Sequence, residues 1–369
     1  DMSTFFLGSE LREGEQYYMD WPEGWTELDR RIWVAQLMKA AYGLPTASQT
    51  AGLKLTKALE SLGFVKLVND PKAYMRYRGD DDIILTGYHV DDGGFIYNNK
   101  NSMIEVFNDF KKKGYELTIE WNPSCYRGIE IEQIPNGIKI HMNGFLEKLA
   151  VDYKIDTSKP PHSPCHEKVC VKERTEKVSD TKATPARVKE YLTMQGNLQW
   201  AVLCYPSCSF TVNHCARYMC NPQQRHFELQ KRCLAYMISI SKLGVSYTQP
   251  GDGIKEIYKK GYAFDDLVLY PDASFAEDEE AKSTTGNLLI TKNGPLIHET
   301  KSQATITAST CECEVCANKY ACMQAIWVKR LLIEMGFTFT KPTVCYQDNA
   351  SSLACLLYTS PSPRDLTAS

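Results

Sequence analysis

The chain has 369 residues, of which 43% are hydrophobic and 24% charged, and its formal net charge is −3. The length exceeds one ordinary domain and predicts two or three, and the composition disfavours disordered, collagen-like and coiled-coil proteins. No apolar run approaches the roughly 20 residues that span a bilayer. The near-neutral charge gives no electrostatic sign of a nucleic-acid partner. Fourteen cysteines without a secretory leader predict reduced thiols in an intracellular compartment.

Both ends of the sequence look unlike the ends of a complete protein. Residues 1–7 resemble the interior of a strand, so we expect the natural chain to begin further upstream. Residues 356–369 lose all periodicity around a Ser-Pro-Ser-Pro run, and proline is incompatible with a helix interior. We predict that they form a non-native tail.

The first part of the chain alternates strands with amphipathic helices. Leu55, Leu59 and Leu62 recur at helical spacing, which predicts a helix over residues 47–63. A second helix is predicted around residues 103–110, before Gly114. Short β-rich runs between turn residues predict strands at 73–77, 83–88, 94–97, 129–132 and 138–140. This pattern indicates an α+β domain over residues 1–153.

The second part begins with a change in composition. Residues 154–187 are rich in Lys, Glu, Thr, Ser and Pro, which is typical of a linker. Residues 188–262 are predicted to form a helical region, in which Gly244 ends a helix. A second α+β unit is predicted at 263–355, with strands near residues 269 and 288–290 and a long helix over 312–335.

Two adjacent carboxylates, Asp91 and Asp92, follow His89 and Val90 at a predicted turn between two strands. Such neighbours repel each other unless a cation neutralises them. Magnesium is usually held by one or two carboxylates together with substrate phosphates. The pair therefore suits phosphoryl transfer assisted by two metal ions. A solvated turn is the alternative for an Asp-Asp dipeptide taken alone.

Around this turn the sequence resembles the polymerase region of Copia-type long-terminal-repeat retrotransposons, whose Tyr-Val-Asp-Asp box corresponds to residues 89–92. The family's upstream Asp-x-x-x-x-Phe-Leu and Leu-Tyr-Gly-Leu segments resemble residues 1–7 and the region around Tyr42-Gly43. Further family segments follow in order through residue 236. The resemblance implies a polymerase palm with an antiparallel sheet, followed by a thumb. It also implies catalytic, metal-binding roles for three residues: Asp1, Asp91 and Asp92. Tyr42, Gly43 and His89 would contact the nucleotide or the primer.

The last part of the chain resembles the ribonuclease H domain of the same family, which implies a mixed α/β fold. Asp272 corresponds to its first carboxylate, and Gln347-Asp348-Asn349 resembles its Cys-Asp-Asn element. The segment from Ser309 to Glu314 corresponds to its Ser-Thr-Glu-Ala-Glu run, so Glu314 is the expected second carboxylate and Glu312 the alternative. Asp272, Glu314 and Asp348 would then be catalytic and bind two metal ions around a scissile phosphate.

The resemblance implies an RNA-directed DNA polymerase with an attached ribonuclease H, using Mg²⁺ or Mn²⁺ in two-metal phosphoryl transfer. The expected partners are an RNA template, a DNA primer, the RNA–DNA hybrid and deoxynucleoside triphosphates, without a membrane. The implied location is a cytoplasmic virus-like particle or the nucleus.

Departures from the family pattern keep a second interpretation open. His89 replaces an aromatic residue, Pro45-Thr46 replaces a Lys-Gln pair, and the fourth ribonuclease H residue would lie beyond the start of the predicted tail. The alternative is therefore a catalytically dead, truncated remnant that at most binds nucleic acid. A chain with nuclease activity alone also stays open, as does a zinc-binding module. The zinc-binding interpretation is disfavoured because the His and Cys spacing in residues 162–170 matches no standard finger.

Overall fold

A computed structural model of the chain describes residues 2, 9–20, 34–41, 43–166, 182–248, 263–276 and 281–359. These residues form two compact units. The first contains the described residues up to Trp121 together with 329–338, and the second contains the remaining described residues from Asn122 onward. No helix within the described ranges is long and apolar enough to cross a membrane.

The first unit is built mainly from one antiparallel sheet and two helices. Its elements are β1 (Tyr18–Met19), β2 (Ala35–Gln36), α1 (Ala47–Ser61), β3 (Val65–Lys66), β4 (Ala73–Tyr77), β5 (Ile83–His89), β6 (Asp92–Tyr97) and α2 (Lys100–Lys112). Strands β3 to β6 lie side by side in chain order, and β1 pairs with β2 separately. The helices and strands predicted for this part of the sequence are thus confirmed.

The core of the first unit lies between this sheet and its two helices. Leu55 and Leu59 on α1 are one helical turn apart and are buried against Ile84 of β5. Helix α2 begins where the Asn99 side chain accepts a hydrogen bond from the amide of Ser102, at 3.2 Å. It is followed by Gly114, whose φ of +83° is a left-handed conformation that favours glycine. This packing fixes β5 and β6, which carry the Asp91-Asp92 turn.

The second unit contains two four-stranded sheets and several helices. Its elements are β7 (Cys125–Tyr126), β8 (Ile129–Ile134), β9 (Gly137–His141), α3 (Asn143–Asp152), α4 (Pro185–Ala201), two 3-10 turns (Val202–Cys204 and Pro206–Cys208), α5 (Ser209–Ala216), α6 (Gln224–Ser239), β10 (Val245–Thr248), β11 (Val268–Ser274), β12 (Thr284–Thr291), β13 (Gly294–Ser302), α7 (Thr310–Glu334, in this unit up to Val328), β14 (Val344–Cys345) and α8 (Ala350–Thr359). Leu146, Leu198 and Leu234 are fully buried in one core between α3, α4 and α6.

The two sheets of the second unit differ in topology. One has the order β10-β9-β8-β7 and is antiparallel throughout. The other has the order β13-β12-β11-β14, in which only the β11–β14 pair is parallel. The chain is therefore a mixed α/β protein with largely antiparallel sheets, as expected for a reverse transcriptase region.

The structure differs from the sequence predictions, or covers them only in part, at three places. The predicted linker 154–187 lies partly outside the described residues, and α4 begins at Pro185, before the linker's predicted end. Strand β14 was not predicted, since only two residues pair with β11. Helix α8 continues to Thr359, past the predicted start of the tail at 356, because the first proline after the helix start is Pro361. The domain boundaries stay predictions.

Candidate functional site

The Asp91-Asp92 turn is a tight hairpin between β5 and β6. His89 pairs with Asp92, so Val90 and Asp91 form the two-residue connection. Val90 has a φ of +59°, a left-handed conformation that is rare for a β-branched residue and costs on the order of 1–3 kcal/mol. Backbone strain of this kind persists only where the surrounding structure enforces it. The turn is therefore a constrained element of the fold.

The strand that leads into this turn is anchored by aromatic contacts. The rings of Tyr74 and Tyr88 stack with their centroids 5.9 Å apart, and the Tyr74 hydroxyl lies 2.7 Å from the Thr56 hydroxyl. Burial raises the pKa of Tyr74 to about 12, so the phenol stays neutral. Lys72 places its ammonium group 4.7 Å from the centre of the Tyr88 ring. These contacts attach the end of β5 to its neighbouring strand β4, which is itself attached to α1.

The predicted polymerase residues are only partly within the described structure. Asp91 and Asp92 are half-buried at the turn, whereas His89 is exposed. Asp1 and Tyr42 lie outside the described residues, and Gly43 is exposed.

Met2, the residue that follows Asp1, lies at this turn. The backbone amide of Met2 donates a hydrogen bond to the carbonyl oxygen of Asp91, at 3.0 Å. Met2 also forms an isolated antiparallel bridge with Leu117 and is buried in the core of the first unit. The chain immediately after Asp1 is therefore held against the turn that carries Asp91.

The three carboxylates predicted for the second site are brought together from distant parts of the sequence. Asp272 lies on β11, Glu314 lies in the first turns of α7, and Asp348 follows β14. Each offers an oxygen, and these oxygens lie within 4.8 Å of one another. Asp272 and Asp348 are exposed, whereas Glu314 is only 6% exposed. We call these three side chains the carboxylate triad.

The electrostatics of the triad centre on Glu314. Burial raises the pKa of its carboxyl group above the ordinary value, because the charged form loses its hydration. A hydrogen bond from the Gln347 amide lowers the pKa, and the negative charges of the other two triad members raise it. The cluster is thus an accumulation of negative charge that a cation would stabilise.

Gln347 connects two of the triad members through one side-chain amide. Its Nε2 donates to Glu314 Oε2 at 3.1 Å, and its Oε1 accepts from the backbone amide of Asp348 at 2.9 Å. The same side chain therefore orients both the Glu314 carboxylate and the start of the segment that carries Asp348.

The structure distinguishes between the two glutamates that the sequence left open. The Glu312 carboxylate accepts a hydrogen bond from the Ala308 amide at 2.7 Å, while its own amide donates to the Ser309 hydroxyl at 3.1 Å. These contacts cap the start of α7, where a negative charge also complements the helix dipole. Glu312 therefore stabilises the helix end, and Glu314 is the glutamate that joins the triad.

Two glutamines that the sequence analysis did not assign to the site support its geometry. Gln347 makes the contacts described above. Gln303 follows β13, and its Nε2 donates to the Cys313 carbonyl at 2.9 Å and to the Thr285 hydroxyl at 3.0 Å, which ties the start of α7 to β12. Gln347 belongs to a motif recognised in the sequence, but a hydrogen bond between distant segments has no local sequence signal.

Carboxylate oxygens are the ligands that Mg²⁺ and Mn²⁺ prefer. Asp272, Glu314 and Asp348 therefore fit a divalent cation in ligand type and in mutual distance. The raised pKa of Glu314 fits as well, since a cation would favour its charged form.

Comparison with known proteins defines the class of protein. Residues 1–167 match the family model described as reverse transcriptase (RNA-dependent DNA polymerase). This segment includes the Asp91-Asp92 turn and the whole sheet that carries it. The chain therefore contains a reverse transcriptase domain.

The chain is also similar to Pol polyproteins of retrotransposons, in agreement with the Copia-type resemblance. The retrovirus-related Pol polyprotein from transposon RE1 of Arabidopsis thaliana is 28% identical over 364 residues, which cover 95% of this chain and 23% of that protein. The corresponding protein from transposon TNT 1-94 of Nicotiana tabacum is 26% identical, with 96% and 26% covered. A putative transposon Ty5-1 protein of Saccharomyces cerevisiae is 23% identical, with 78% and 86% covered. The resemblance inferred from the motifs is thereby confirmed, and the chain spans about a quarter of the length of the two polyproteins.

Proposed function

We propose that this chain is the RNA-directed DNA polymerase and attached ribonuclease H of a Copia-type retrotransposon, and that both activities use two-metal phosphoryl transfer. The observation that carries the proposal is the triad of Asp272, Glu314 and Asp348, in a chain whose first 167 residues match a reverse transcriptase. The substrates would be a primed RNA template, deoxynucleoside triphosphates and the resulting RNA–DNA hybrid.

The nuclease half of the proposal is supported by the elements of the fold that carry the three carboxylates. In the order β13-β12-β11-β14, the parallel β11–β14 pair places the end of β14, at Cys345, beside Leu269 near the start of β11. Asp272 and Asp348 each follow three residues later, so the two parallel segments bring both carboxylates to the same edge. A carboxylate from a central strand, one from a helix start and one from the neighbouring strand end then meet at one edge. This is the arrangement that the resemblance to ribonuclease H implies for a mixed α/β domain.

The polymerase half is supported by the constrained hairpin. Asp91 and Asp92 stand on a two-residue turn whose backbone is strained at Val90 and hydrogen-bonded to Met2. Asp1 precedes Met2 directly, and a carboxylate there would complete the acidic set that the family resemblance implies. Rigid support of this kind is what catalytic carboxylates require.

In the nuclease site the triad would hold the metal ions and align the scissile phosphate between them. When bound, the ions would activate water as the nucleophile and neutralise charge that develops on the phosphate. Glu314 keeps its carboxylate oriented through the Gln347 amide. In the polymerase site, Asp91 and Asp92 together with Asp1 would hold ions beside the primer end, and exposed His89 would contact the primer.

Primer extension on an RNA template with Mg²⁺ or Mn²⁺ tests the polymerase proposal. We expect the Asp91→Asn, Asp92→Asn double variant to lose extension. Asp81→Asn is the matched control, because this exposed aspartate lies in the turn at the opposite end of β5. Extension that is unchanged in the double variant would refute the polymerase assignment.

Cleavage of an RNA–DNA hybrid tests the nuclease proposal separately. We expect Asp348→Asn to abolish cleavage and to leave primer extension intact, while Glu312→Gln retains cleavage because that carboxylate caps a helix. Hybrid binding without extension or cleavage would favour the non-catalytic remnant. Cleavage without extension would leave only the nuclease half of the proposal.

A further inference from the structure

Two exposed tyrosines form a parallel pair at the edge of the sheet that carries the triad. Tyr270 lies on β11, and Tyr346 directly follows β14, which is the last strand of this sheet in the described part of the chain. The Tyr346 amide donates a hydrogen bond to the Leu269 carbonyl oxygen at 2.9 Å, which continues the pairing of the two strands. The two rings stack with their centroids 5.3 Å apart and an angle of 19° between their planes.

The tyrosine pair lies on the same face of the sheet as two members of the carboxylate triad. Successive side chains of a strand point to opposite faces, and on β11 the buried Pro271 separates the exposed Tyr270 from the exposed Asp272. Tyr346 and Asp348 are likewise exposed and two residues apart. Two residues of an extended strand span roughly 6.5 Å, and a stacked nucleic-acid strand rises by about 3.4 Å for each nucleotide. The rings therefore lie about two nucleotides from a phosphate held by the triad.

The contact between the two rings uses only one face of Tyr346. Tyr346 is 58% exposed and Tyr270 is 39% exposed, and the other face of the Tyr346 ring lies beyond the last described strand of the sheet. A cross-strand aromatic pair stabilises a sheet, which accounts for the inner contact but not for the open ring face. A nucleobase is flat and uncharged, so it can stack on this face close to the negative triad, where a second phosphate would be repelled.

We propose that Tyr346, supported by Tyr270, is a stacking platform for an unpaired RNA base close to the phosphate that the triad holds. The proposal rests on the proposed nuclease function, because the strand that reaches the triad is then RNA. Aromatic rings stack on single-stranded bases with little dependence on sequence. A base inside a duplex is covered on both faces by its neighbours, so the platform selects a base beyond the end of the hybrid. The nuclease site therefore prefers RNA at the junction between hybrid and single strand.

Photocrosslinking tests the platform independently of cleavage. The full chain carries Asp348→Asn, which keeps both tyrosines and is expected to stop cleavage. The probe is an RNA–DNA hybrid with 5-iodouridine in a single-stranded RNA extension, since a base that stacks on an aromatic ring crosslinks to it on irradiation. Trypsin releases Tyr346 in residues 331–364, because Lys341 precedes a proline. We expect a crosslink to Tyr346 in this peptide, and its loss when the iodouridine lies within the paired part of the hybrid.

Cleavage kinetics of the parent and its variants test the consequence for substrate choice. Tyr346→Leu should raise the KM for a hybrid with an RNA extension by roughly 5- to 150-fold, with an unchanged kcat and an unchanged KM for a blunt hybrid. Tyr346→Phe keeps the ring and should behave like the parent. Tyr358→Leu is the matched control, because Tyr358 is 93% exposed on α8, outside the pair. A lowered melting temperature of Tyr346→Leu, with both KM values moving together, would overturn the proposal in favour of a structural role.

The remaining outcomes separate the platform from the nuclease assignment. Cleavage by the parent, with no crosslink to Tyr346 and equal KM values for the two hybrids in every variant, would overturn the platform alone. A crosslink to Tyr346 without cleavage by the parent would support the platform and refute the nuclease half of the proposed function. Dissociation of a dimer by Tyr346→Leu, seen by sedimentation and without a crosslink, would assign the surface to a second copy of this chain and overturn the proposal.

Discussion

Replacing Gln347 with methionine should weaken divalent-metal binding at the carboxylate triad while leaving the fold intact. Methionine has nearly the same length, but it donates no hydrogen bond to Glu314 and offers the Asp348 amide only a weak acceptor. Glu314 would then keep its buried position but lose the amide that donates to Oε2. The backbone hydrogen bond from Ala273 would remain, so the carboxylate would be held less firmly in the direction that the triad requires.

The size of the effect follows from the kind of contact that is lost. A hydrogen bond to a charged group contributes about 1.5–3 kcal/mol, and each 1.4 kcal/mol corresponds to about tenfold in affinity. The dissociation constant for Mn²⁺ should therefore rise by about 10- to 100-fold, in the range seen when groups that orient metal ligands are removed. Because the Gln347 hydrogen bond lowers the pKa of Glu314, its loss should also move metal binding to higher pH.

Isothermal titration calorimetry with Mn²⁺ measures this effect on an Asp91→Asn, Asp92→Asn background, which removes the other acidic pair. Asp348→Asn should lose binding and so identifies the signal of the triad. Gln324→Met is the matched control: Gln324 also donates to a carboxylate, at 2.6 Å, but it lies outside the triad. Equal affinity of Gln347→Met and the parent, with binding lost in Asp348→Asn, would refute the positioning role of Gln347.

Two further predictions concern stability. Burial lowers the pKa of His298, so the folded protein holds it neutral while the unfolded chain takes up a proton below about pH 6.5. The free energy of unfolding should therefore fall as the pH falls below about 6.5 and level off below the folded pKa. Urea denaturation of the parent and His298→Gln at several pH values checks this, and a pH dependence that is identical in both would contradict it. Gly244→Ala should destabilise by more than about 3 kcal/mol, because Gly244 has a φ of +56° and an added Cβ would lie 2.1 Å from the Ile140 carbonyl oxygen. Gly196→Ala on helix α4 meets nothing within 4 Å and should stabilise by about 1 kcal/mol; thermal melts in which both variants shift in the same direction would contradict the reasoning.

The parts of the fold that were predicted from sequence are those in which the signal is local. Helix α1 follows from leucines at helical spacing, and the β4–β5 and β8–β9 hairpins follow from turn residues between β-rich runs. Strand β14 escaped prediction because it consists of two paired residues, and its existence depends on β11, which is remote in sequence. Pairing between distant segments leaves no periodic pattern in either of them.

The candidate sites also combine features that have a local sequence signal with features that depend on contacts between distant segments. The Asp91-Asp92 pair is visible as a dipeptide between strands, although the strained backbone of Val90 is not encoded by any turn-forming residue type. The choice between Glu312 and Glu314 depended on which side of α7 faces β11, and that required the structure. Gln347 was recognised as part of a motif. Its role depends on a hydrogen bond to Glu314, which lies 33 residues earlier in the chain.

The contacts of Gln347 and Cys345 bear on how this chain differs from its relatives. The family element implied by the motif comparison has cysteine before the aspartate, where this chain has Gln347. A thiol is a weak donor and a weak acceptor, whereas an amide donates and accepts at the same time. Gln347 uses both capacities, toward Glu314 and toward the Asp348 backbone. In this chain the thiol instead lies two residues earlier, at Cys345, where it contacts the next turn of the same helix. A single thiol at this position could not supply both hydrogen bonds with the strength of an amide, so Gln347 gives the triad firmer polar support than the cysteine of the family element would.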